Sequence, residues 1–368
     1  MDTNNMPPKP RDGILKIVPY VGGRSSLNDQ QKVIRLASNE AAIGPSPKAI
    51  VAFKEQYNML HRYPDGSAED LRNRLSELHR VNKNQIVCGS GSDEILQLLA
   101  RAYAGPGDEI LYSKHGFLVY KLAALAVGAT PVAAPEENYC TSVDRLLENI
   151  TKRTKIIFLA NPNNPTGSYV TRSELFRLWE ALPKNILLVI DAAYAEFVTK
   201  IDYSAGIELV DKAENVVMTR TFSKIYGLAA LRLGWCYGSD RIIDVLNRIR
   251  GPFNLTGAAL AAGLAGLEDQ EHLSRALKHN NKWMDQLVVG LEQIGIATLP
   301  SVCNFVLLQF SNKGPHTSNL ADKFLTSRGI LTRNVTNYEL PDCLRVTIGR
   351  ETEMHALLLA LTEFMDTK

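Results

Sequence analysis

The segment 221–234 (TFSKIYGLAALRLG) places a lysine between two hydroxyl residues and an arginine, with apolar residues and glycines around them. Burial disfavours the ammonium form of a lysine, so the neutral amine of Lys224 could attack a carbonyl group and form a Schiff base. A surface lysine beside a serine cap would explain the same short motif equally well. The residues in the rest of the chain must decide between these two interpretations.

A second candidate site follows a predicted strand at 85–88, where the turn 89–94 (GSGSDE) leads into a helix. A strand, a turn of small residues and a helix start bring several free backbone N–H groups together, which favours a phosphate. The turn is not a dinucleotide fingerprint because Glu94 stands in its last position, and the chain contains no P-loop motif. Taken alone, the turn is a weak signal for an anion site.

Polar residues also follow two buried strands predicted further along the chain. The apolar run 156–160 leads into the loop 161–167 (NPNNPTG), whose prolines and glycine should hold Asn164 in a defined position. A strand at 186–190 ends at Asp191, with Tyr194 shortly after it. Ligands of open α/β sheets bind at the carboxyl ends of the strands, although a helix N-cap would explain Asp191 equally well.

Together these residues match what pyridoxal phosphate requires of a protein. Lys224 offers an amine for the aldehyde, and Asp191 offers a carboxylate for the pyridine nitrogen. The donors for the phenolate oxygen, the anion cradle and a stacking ring are expected from Asn164 with Tyr194, from Ser92, Asp93, Ser223 and Arg232, and from Phe117. The sequence therefore predicts a pyridoxal phosphate site.

The elements that position these residues alternate between strand and helix through the middle of the chain. Predicted strands at 109–112, 130–133 and 216–218 join those above, and the tail mixes helices and strands. We expect an α/β fold with a mostly parallel sheet flanked by helices and a smaller α+β domain. For the 368 residues we predict an N-terminal arm over 1–46, a large domain over 47–250 and a small domain over 251–368.

Composition narrows the partners and the cellular compartment. Lys and Arg number 41 against 39 Asp and Glu, so the net charge of +2 gives no reason to expect nucleic acid or a membrane surface as a partner. The five widely spaced cysteines form no C-x-x-C pair, which favours reduced thiols over disulfides or a metal site. Residues 1–11 lack the apolar core of a signal peptide, and a cytoplasmic location is expected.

The order of these motifs resembles that of the fold-type I aminotransferases, and most closely the histidinol-phosphate aminotransferase branch. The resemblance covers nearly the whole chain. The matching segments are LASNE at 36–40, GPSP at 44–47, YPD at 63–65, GSDE at 91–94, NPNNPTG at 161–167, DAAY at 191–194, TFSK at 221–224 and LRVTIG at 344–349.

The resemblance implies a role for each matched residue. Lys224 would be the Schiff-base lysine and the base that moves a proton at the substrate Cα, while Asp191 would keep the pyridine nitrogen protonated. Thr221 joins the phosphate cup, and Tyr194 assists at the phenolate oxygen. Tyr63 corresponds to a tyrosine that reaches the phosphate of the neighbouring subunit's cofactor, so a homodimer is implied.

The resemblance also implies the substrates. Arg345 would bind a substrate carboxylate or the phosphomethyl group of L-histidinol phosphate, and Arg333 would be a second phosphate donor. Tyr20 and Asn39 match positions that close over the substrate. The expected reaction is ping-pong transamination between L-histidinol phosphate and 2-oxoglutarate, which gives imidazole-acetol phosphate and L-glutamate.

Departures from the family pattern leave other substrates open. The chain has alanines at 41–42 where many members have asparagine and proline, and Phe117 stands where tyrosine is common. An aromatic or broad-range aminotransferase of the same branch, or a threonine-phosphate decarboxylase, would use the same motifs. A non-catalytic, cofactor-sensing regulator is the third alternative, but the sequence offers no added DNA-binding domain for it.

Overall fold

The computed structural model describes residues 9–11, 13–26 and 33–367. Parts of the predicted N-terminal arm, at 1–8, 12 and 27–32, lie outside these described residues. The described strands are, in chain order, β1 (Ile34–Arg35), β2 (Ile86–Gly89), β3 (Glu109–Ser113), β4 (Thr130–Ala134), β5 (Glu136–Glu137), β6 (Cys140–Thr141), β7 (Thr154–Ala160), β8 (Leu187–Asp191), β9 (Val216–Thr221), β10 (Gly234–Gly238), β11 (Ala297–Leu299), β12 (Phe305–Gln309), β13 (Ile330–Leu331), β14 (Arg333–Asn334) and β15 (Cys343–Thr347).

The helices follow the strands in alternation through the first two thirds of the chain. They are α1 (Pro47–Glu55), α2 (Glu69–His79), α3 (Ser92–Tyr103), α4 (Val119–Val127), α5 (Val143–Glu148), α6 (Arg172–Ala181), α7 (Ile207–Val210), α8 (Asp240–Ile249), α9 (Gly257–Glu268), α10 (Gln270–Gln293), α11 (Ser318–Ser327) and α12 (Glu351–Met365). Within the described part of the chain, none of these helices combines the length and the apolar character needed to cross a membrane.

The large sheet has seven strands in the order β2-β10-β9-β8-β7-β3-β4. Neighbours from β9 to β4 run parallel, which confirms the predicted mostly parallel sheet, whereas β10 is antiparallel to both β2 and β9. The strands β8 and β9 are buried along their whole length, because helices cover both faces of the sheet. Their carboxyl ends therefore lie at the same edge of the sheet, where Asp191 pairs with Thr219 and β9 continues to Thr221.

A second, antiparallel sheet in the order β11-β12-β15-β14 has its own core, to which Trp283, Leu287 and Val306 contribute. The strand β1 pairs with β13 and so ties the N-terminal segment to this unit. Helix α9 and the first part of α10 pack against the core of the large sheet, whereas the second part of α10 packs in the core of the small one. The predicted boundary at 250–251 stays a prediction.

One buried hydrogen bond joins the starts of two helices. The Ser46 hydroxyl accepts from the Lys48 and Ala49 N–H groups at the start of α1 and donates to Asp269 Oδ2 at 2.6 Å. The other oxygen of Asp269 accepts from the His272 N–H at 3.2 Å in the first turn of α10. The bond from Ser46 is the main reason that the pKa of Asp269 lies below its usual value. A single serine therefore satisfies donors of α1 and orients the cap of α10.

Replacing Ser46 by alanine should lower the free energy of unfolding by about 1–2 kcal/mol. The substitution removes the cap of α1 and also the hydrogen bond that orients Asp269, the cap of α10. Thermal or urea unfolding of the purified protein measures this loss. The matched control is Ser142→Ala, since Ser142 caps the short helix α5 through an exposed hydrogen bond, with its hydroxyl 3.4 Å from the Arg145 nitrogen. An equal loss in both variants would contradict the joint role of Ser46.

Candidate active site

A cavity of about 670 Å³ lies at the carboxyl ends of β7, β8 and β9 and extends to β14 and β15. Its walls bring together almost all of the candidate residues predicted from the sequence. The predicted residues that line the cavity are Tyr20, Asn39, Ser92, Asp93, Phe117, Asn164, Asp191, Tyr194, Thr221, Ser223, Lys224, Arg232, Arg333 and Arg345. The roles assigned to them stay predictions, but their convergence in one cavity defines the candidate site.

Asp191 ends strand β8 with its carboxylate buried at the cavity floor. Tyr120 donates its hydroxyl to Oδ2 at 2.8 Å, and Thr219 donates to Oδ1 at 3.3 Å. Burial raises the pKa of Asp191 to about 6, although both hydrogen bonds act in the opposite direction. The carboxylate is therefore largely ionised above pH 6 and is held in one orientation.

Tyr120 and Thr219 are site residues that the sequence analysis missed. Tyr120 is fully buried in α4 between apolar neighbours, and its ring stacks on Phe158 at 4.9 Å between centroids. A buried tyrosine hydroxyl needs a hydrogen-bond partner, and a tyrosine in this mostly apolar helix was the available signal.

Lys224 follows β9, and its amine opens on the cavity 5.5 Å from the centroid of the Tyr194 ring. Its Nζ donates a long hydrogen bond of 3.4 Å to the Ser38 carbonyl. Desolvation, and then the positive charge of Arg345, lower the pKa of Lys224 to about 8. The amine therefore loses its proton at a lower pH than an exposed lysine does, as a nucleophilic or basic amine requires.

Asn39 ties the N-terminal segment to the site. Its Nδ2 donates to the Tyr194 hydroxyl at 2.8 Å, and its backbone N–H donates to Thr347 Oγ1 at 2.9 Å. Asn304 donates to the Asn39 carbonyl at 3.1 Å, and the backbone of Asn39 adopts a positive φ of 56°. Burial raises the pKa of Tyr194, so this phenol stays protonated and can donate to a ligand. Neither Thr347 nor Asn304 was predicted.

Two arginines form the wall contributed by the small sheet. Arg333 on β14 pairs directly with Arg345 on β15, so their side chains leave the same face of the sheet. Both are buried, which is unusual for arginine. Arg333 donates from Nη2 to the Val21 carbonyl at 2.8 Å and lies 5.8 Å from the centroid of the Tyr20 ring.

Arg345 is only partly satisfied by the protein. Its Nη1 donates to Asn164 Oδ1 and its Nη2 donates to the Ala37 carbonyl at 2.8 Å. Its Nε is buried and lacks a partner among the described residues. An unsatisfied donor on a buried cation favours binding of an anionic group in the cavity.

In the predicted phosphate cup, one arginine joins the turn 89–94 to the lysine segment. Arg232 donates from Nη1 to Ser223 Oγ at 3.0 Å and from Nη2 to Asp93 Oδ2 at 3.2 Å. Gly91, with φ of 78°, precedes α3, and a Cβ on it would come within 2.4 Å of Arg232 Nη2. Because an ionised carboxylate has no hydrogen to donate, Asp93 can contribute to an anion site only through its backbone N–H.

Three further predicted residues have distinct places. Thr221 Oγ1 accepts from the Ser223 N–H at 3.1 Å and so shapes the cup. Phe117 lies on the cavity wall, edge to face with Tyr120 at 5.9 Å between centroids. Tyr63 is not brought to the cavity: its side chain is 82% exposed and stacks on Phe253 with centroids 4.6 Å apart.

Comparison with known proteins gives this geometry a class. Residues 31–361 match the family model described as aminotransferase class I and II. The histidinol-phosphate aminotransferase of Paramagnetospirillum magneticum is 52% identical over 97% of this chain and 99% of its own length. The enzyme of the same name from Maricaulis maris is 50% identical over 97% of this chain and 99% of its own length.

Solved structures agree with this class. A histidinol-phosphate aminotransferase from Sinorhizobium meliloti, in complex with pyridoxal-5'-phosphate, superposes with a TM-score of 0.84 at 27% identity and covers 91% of this chain and 92% of its own. An L-threonine-O-3-phosphate decarboxylase from Porphyromonas gingivalis has a TM-score of 0.79 at 21% identity, over 91% of this chain and all of its own, and shares the fold. The chain belongs to the class I and II aminotransferases and, within them, to the histidinol-phosphate aminotransferase family.

The residues present fit pyridoxal phosphate. The close approach of Gly91 to Arg232, with the hydroxyls of Ser92 and Ser223 beside them, forms a cradle of donors suited to a phosphate. Asp191 supplies a buried carboxylate and Lys224 an amine of lowered pKa in the same cavity. This donor set contains the anion site, the carboxylate and the amine that the group requires.

The raised pKa of Asp191 has a consequence for stability. Because the pKa of Asp191 is about 6 in the folded protein and 3.8 in the unfolded chain, protonation of this carboxyl group favours the folded state. The full stabilisation is present below pH 3.8 and is lost as the pH rises through about 6. The uncharged variant Asp191→Asn should therefore be more stable than the unsubstituted, cofactor-free protein at pH 8, by up to about 3 kcal/mol. Thermal unfolding at pH 4 and pH 8 measures the difference, which should vanish at the lower pH. An equal difference at both pH values would contradict the burial cost.

Proposed function

We propose that this protein is a pyridoxal phosphate-dependent aminotransferase of histidine biosynthesis. It would move an amino group between L-histidinol phosphate and 2-oxoglutarate and produce imidazole-acetol phosphate and L-glutamate. The observation that carries this proposal is the pair of buried, cross-strand arginines, Arg333 and Arg345, in one cavity with Lys224 and Asp191. The relatives that share half of the sequence bear the name of this enzyme, which supports the same substrate.

Pyridoxal phosphate, when bound, supplies an aldehyde for the amino group and a ring that accepts electrons from the substrate Cα. Ser92, Ser223 and Arg232 would hold its phosphate group, and Phe117 would pack against its ring. Asp191, kept ionised above pH 6 by Tyr120 and Thr219, would hold a proton on the ring nitrogen.

Lys224 would move the proton. Its amine loses charge readily because the site is desolvated and Arg345 adds a second positive charge nearby. A neutral amine tethered beside the substrate would take the proton from the substrate Cα and deliver it to C4′ of the cofactor, two bonds away across the nitrogen. Asn164 and Tyr194 would donate to the phenolate oxygen, and the Asn39 side chain fixes the direction of the Tyr194 hydroxyl.

The arginine pair would select the substrates. Arg345 is the deeper donor, with its free Nε, and suits either the carboxylate of glutamate or a phosphate group. Arg333 adds a second guanidinium that a phosphate, with three oxygens, uses better than a carboxylate. The wall from α4 is apolar at Val119, Leu122 and Ala123, so a phenyl ring would also fit, and phenylalanine is the informative competitor.

The proposal is tested by measuring glutamate formation from 2-oxoglutarate with L-histidinol phosphate or L-phenylalanine as amino donor. We expect a clear preference for L-histidinol phosphate. The variant Arg333→Ala should lower kcat/KM for this donor about 10- to 100-fold, as expected for loss of a charged hydrogen bond, and should change the value for phenylalanine little.

Lys224→Ala should abolish both activities, whereas Arg328→Ala, at an exposed arginine paired with Glu363, serves as the control. Equal turnover of the two donors by the unsubstituted protein would instead indicate a broad aromatic aminotransferase. Release of carbon dioxide from threonine phosphate would indicate the decarboxylase.

We also propose that the active unit is a homodimer. The surface around Tyr63 is rich in exposed apolar side chains, among them Met59, Leu60 and Phe253, which line a second cavity of about 610 Å³ together with Tyr63. An apolar patch of this kind on a globular protein is typical of an interface. Tyr63 would complete the phosphate cup of the other subunit.

The free thiols of all five cysteines support the expected cytoplasmic location.

Mixing two inactive variants tests the shared site. If Tyr63 serves the partner's site, a hybrid of Tyr63→Ala and Lys224→Ala subunits contains one intact site and one doubly substituted site. Random exchange of subunits should then restore about a quarter of the unsubstituted activity, since half of the dimers are hybrids with one working site each. No recovery after verified subunit exchange would show that Tyr63 acts within its own chain, and a Tyr63→Ala variant that is already fully active before mixing would show that Tyr63 serves neither site.

A further inference from the structure

Two side chains without a role in the proposed mechanism, Glu94 and Asn254, hold the turn of the phosphate cup in place. The Ser90 N–H donates to Glu94 Oε2 at 2.5 Å, and Asn254 Nδ2 donates to the same oxygen at 2.7 Å. Asn254 Nδ2 also lies within 3.4 Å of the Cys88 carbonyl, just before the turn. Asn254 thus contacts the strand that enters the turn and the carboxylate that holds its middle.

Arg250 fixes the direction of the Asn254 amide. Its Nη1 donates to Asn254 Oδ1 at 3.1 Å, its Nη2 donates to the Gly66 carbonyl at 2.8 Å, and its Nε donates to Asn247 Oδ1 at 2.9 Å. Because the guanidinium occupies the amide oxygen, the amide nitrogen must face Glu94 and Cys88. The chain of contacts therefore has one arrangement of donors and acceptors.

The turn packs against the backbone of β10, since a Cβ on Gly234 would come within 2.4 Å of the Ser92 nitrogen, and so has little room to move. Gly91 approaches Arg232 so closely that a Cβ would overlap Nη2, and Ser92 and Asp93 follow at once with the backbone N–H groups of the first turn of α3. A small movement of the turn would change the distance between these donors and Arg232. An anion held by both would then lose contact with one of them.

The charge of Glu94 distinguishes a positioning role from a purely electrostatic effect on phosphate binding. A carboxylate in the first turn of α3 repels an anion bound at the same helix start, so electrostatics alone predicts tighter phosphate binding once the charge is removed. A positioning role predicts the opposite, because a neutral amide accepts the two hydrogen bonds less strongly. The two explanations can therefore be separated by the direction of one change in affinity.

We propose that Glu94 and Asn254, anchored by Arg250, are positioning residues that set the phosphate cup for the phosphate group of pyridoxal phosphate. The proposal rests on the proposed function, which supplies the ligand. Their action passes through the backbone of the turn 89–93, and neither side chain is assigned a contact with the ligand. Binding of the phosphate group should depend on them more than binding of the rest of the cofactor.

Titration of the full-length, cofactor-free protein with pyridoxal phosphate and with pyridoxal, followed by absorbance, tests this. Asn254→Ala should weaken pyridoxal phosphate about tenfold and pyridoxal less than about twofold. Glu94→Gln, which keeps the shape of the side chain, should weaken pyridoxal phosphate about threefold with the same selectivity. The matched control Asn247→Ala removes another acceptor from Arg250 without touching the turn and should leave both affinities unchanged.

Tighter binding of pyridoxal phosphate by Glu94→Gln would overturn the proposal, because it would leave only the charge effect. Equal weakening of both ligands by Asn254→Ala would also overturn it, since a general loss of structure does not discriminate between them. Failure of the unsubstituted protein to bind pyridoxal phosphate would instead overturn the proposed function on which this inference depends.

Discussion

Desolvation of Asp191 and Lys224 is the constraint on which the rest of the site depends. Both groups are charged in water, and the fold carries them into one cavity where burial raises the pKa of the carboxyl group and lowers that of the amine. Neither group could persist there without compensation. Tyr120 and Thr219 each donate a hydrogen bond that favours the ionised carboxylate, whereas among the described residues Lys224 donates one long hydrogen bond, to the Ser38 carbonyl. The carboxylate is therefore fixed and the amine remains available for reaction.

The site also requires the two sheets to keep a definite relation. The floor belongs to the large sheet, and the arginine wall belongs to the small one. The segment around Ala37 and Asn39 bridges them, because it accepts from Arg345, bonds with Thr347 and donates to Tyr194. A short stretch of irregular chain, in which Asn39 has a positive φ, thus connects the arginine wall to the Tyr194 side of the cavity.

The sequence predicted the parallel sheet and most cavity residues because buried parallel strands read as apolar runs and their ends carry polar residues. It could not predict the antiparallel strand β10. This strand has only five residues, 234–238, and follows the lysine segment without a clear turn signal. It also missed Tyr120, Thr347 and Asn304. These residues act through neighbours that are distant in sequence, so local periodicity contains no record of their partners.

Two acidic residues, Asp93 and Glu94, lie at the phosphate cup, where an anion is expected to bind and a negative charge is unfavourable. Each carboxylate is engaged with a donor: Asp93 with Arg232, and Glu94 with the Ser90 N–H and Asn254. A negative charge in the first turn of α3 stabilises the helix through its dipole, and engagement with donors reduces its field at the cup. On the proposed positioning role, the two acids impose a modest electrostatic cost on phosphate binding and in return fix the geometry of the donors that would hold the phosphate.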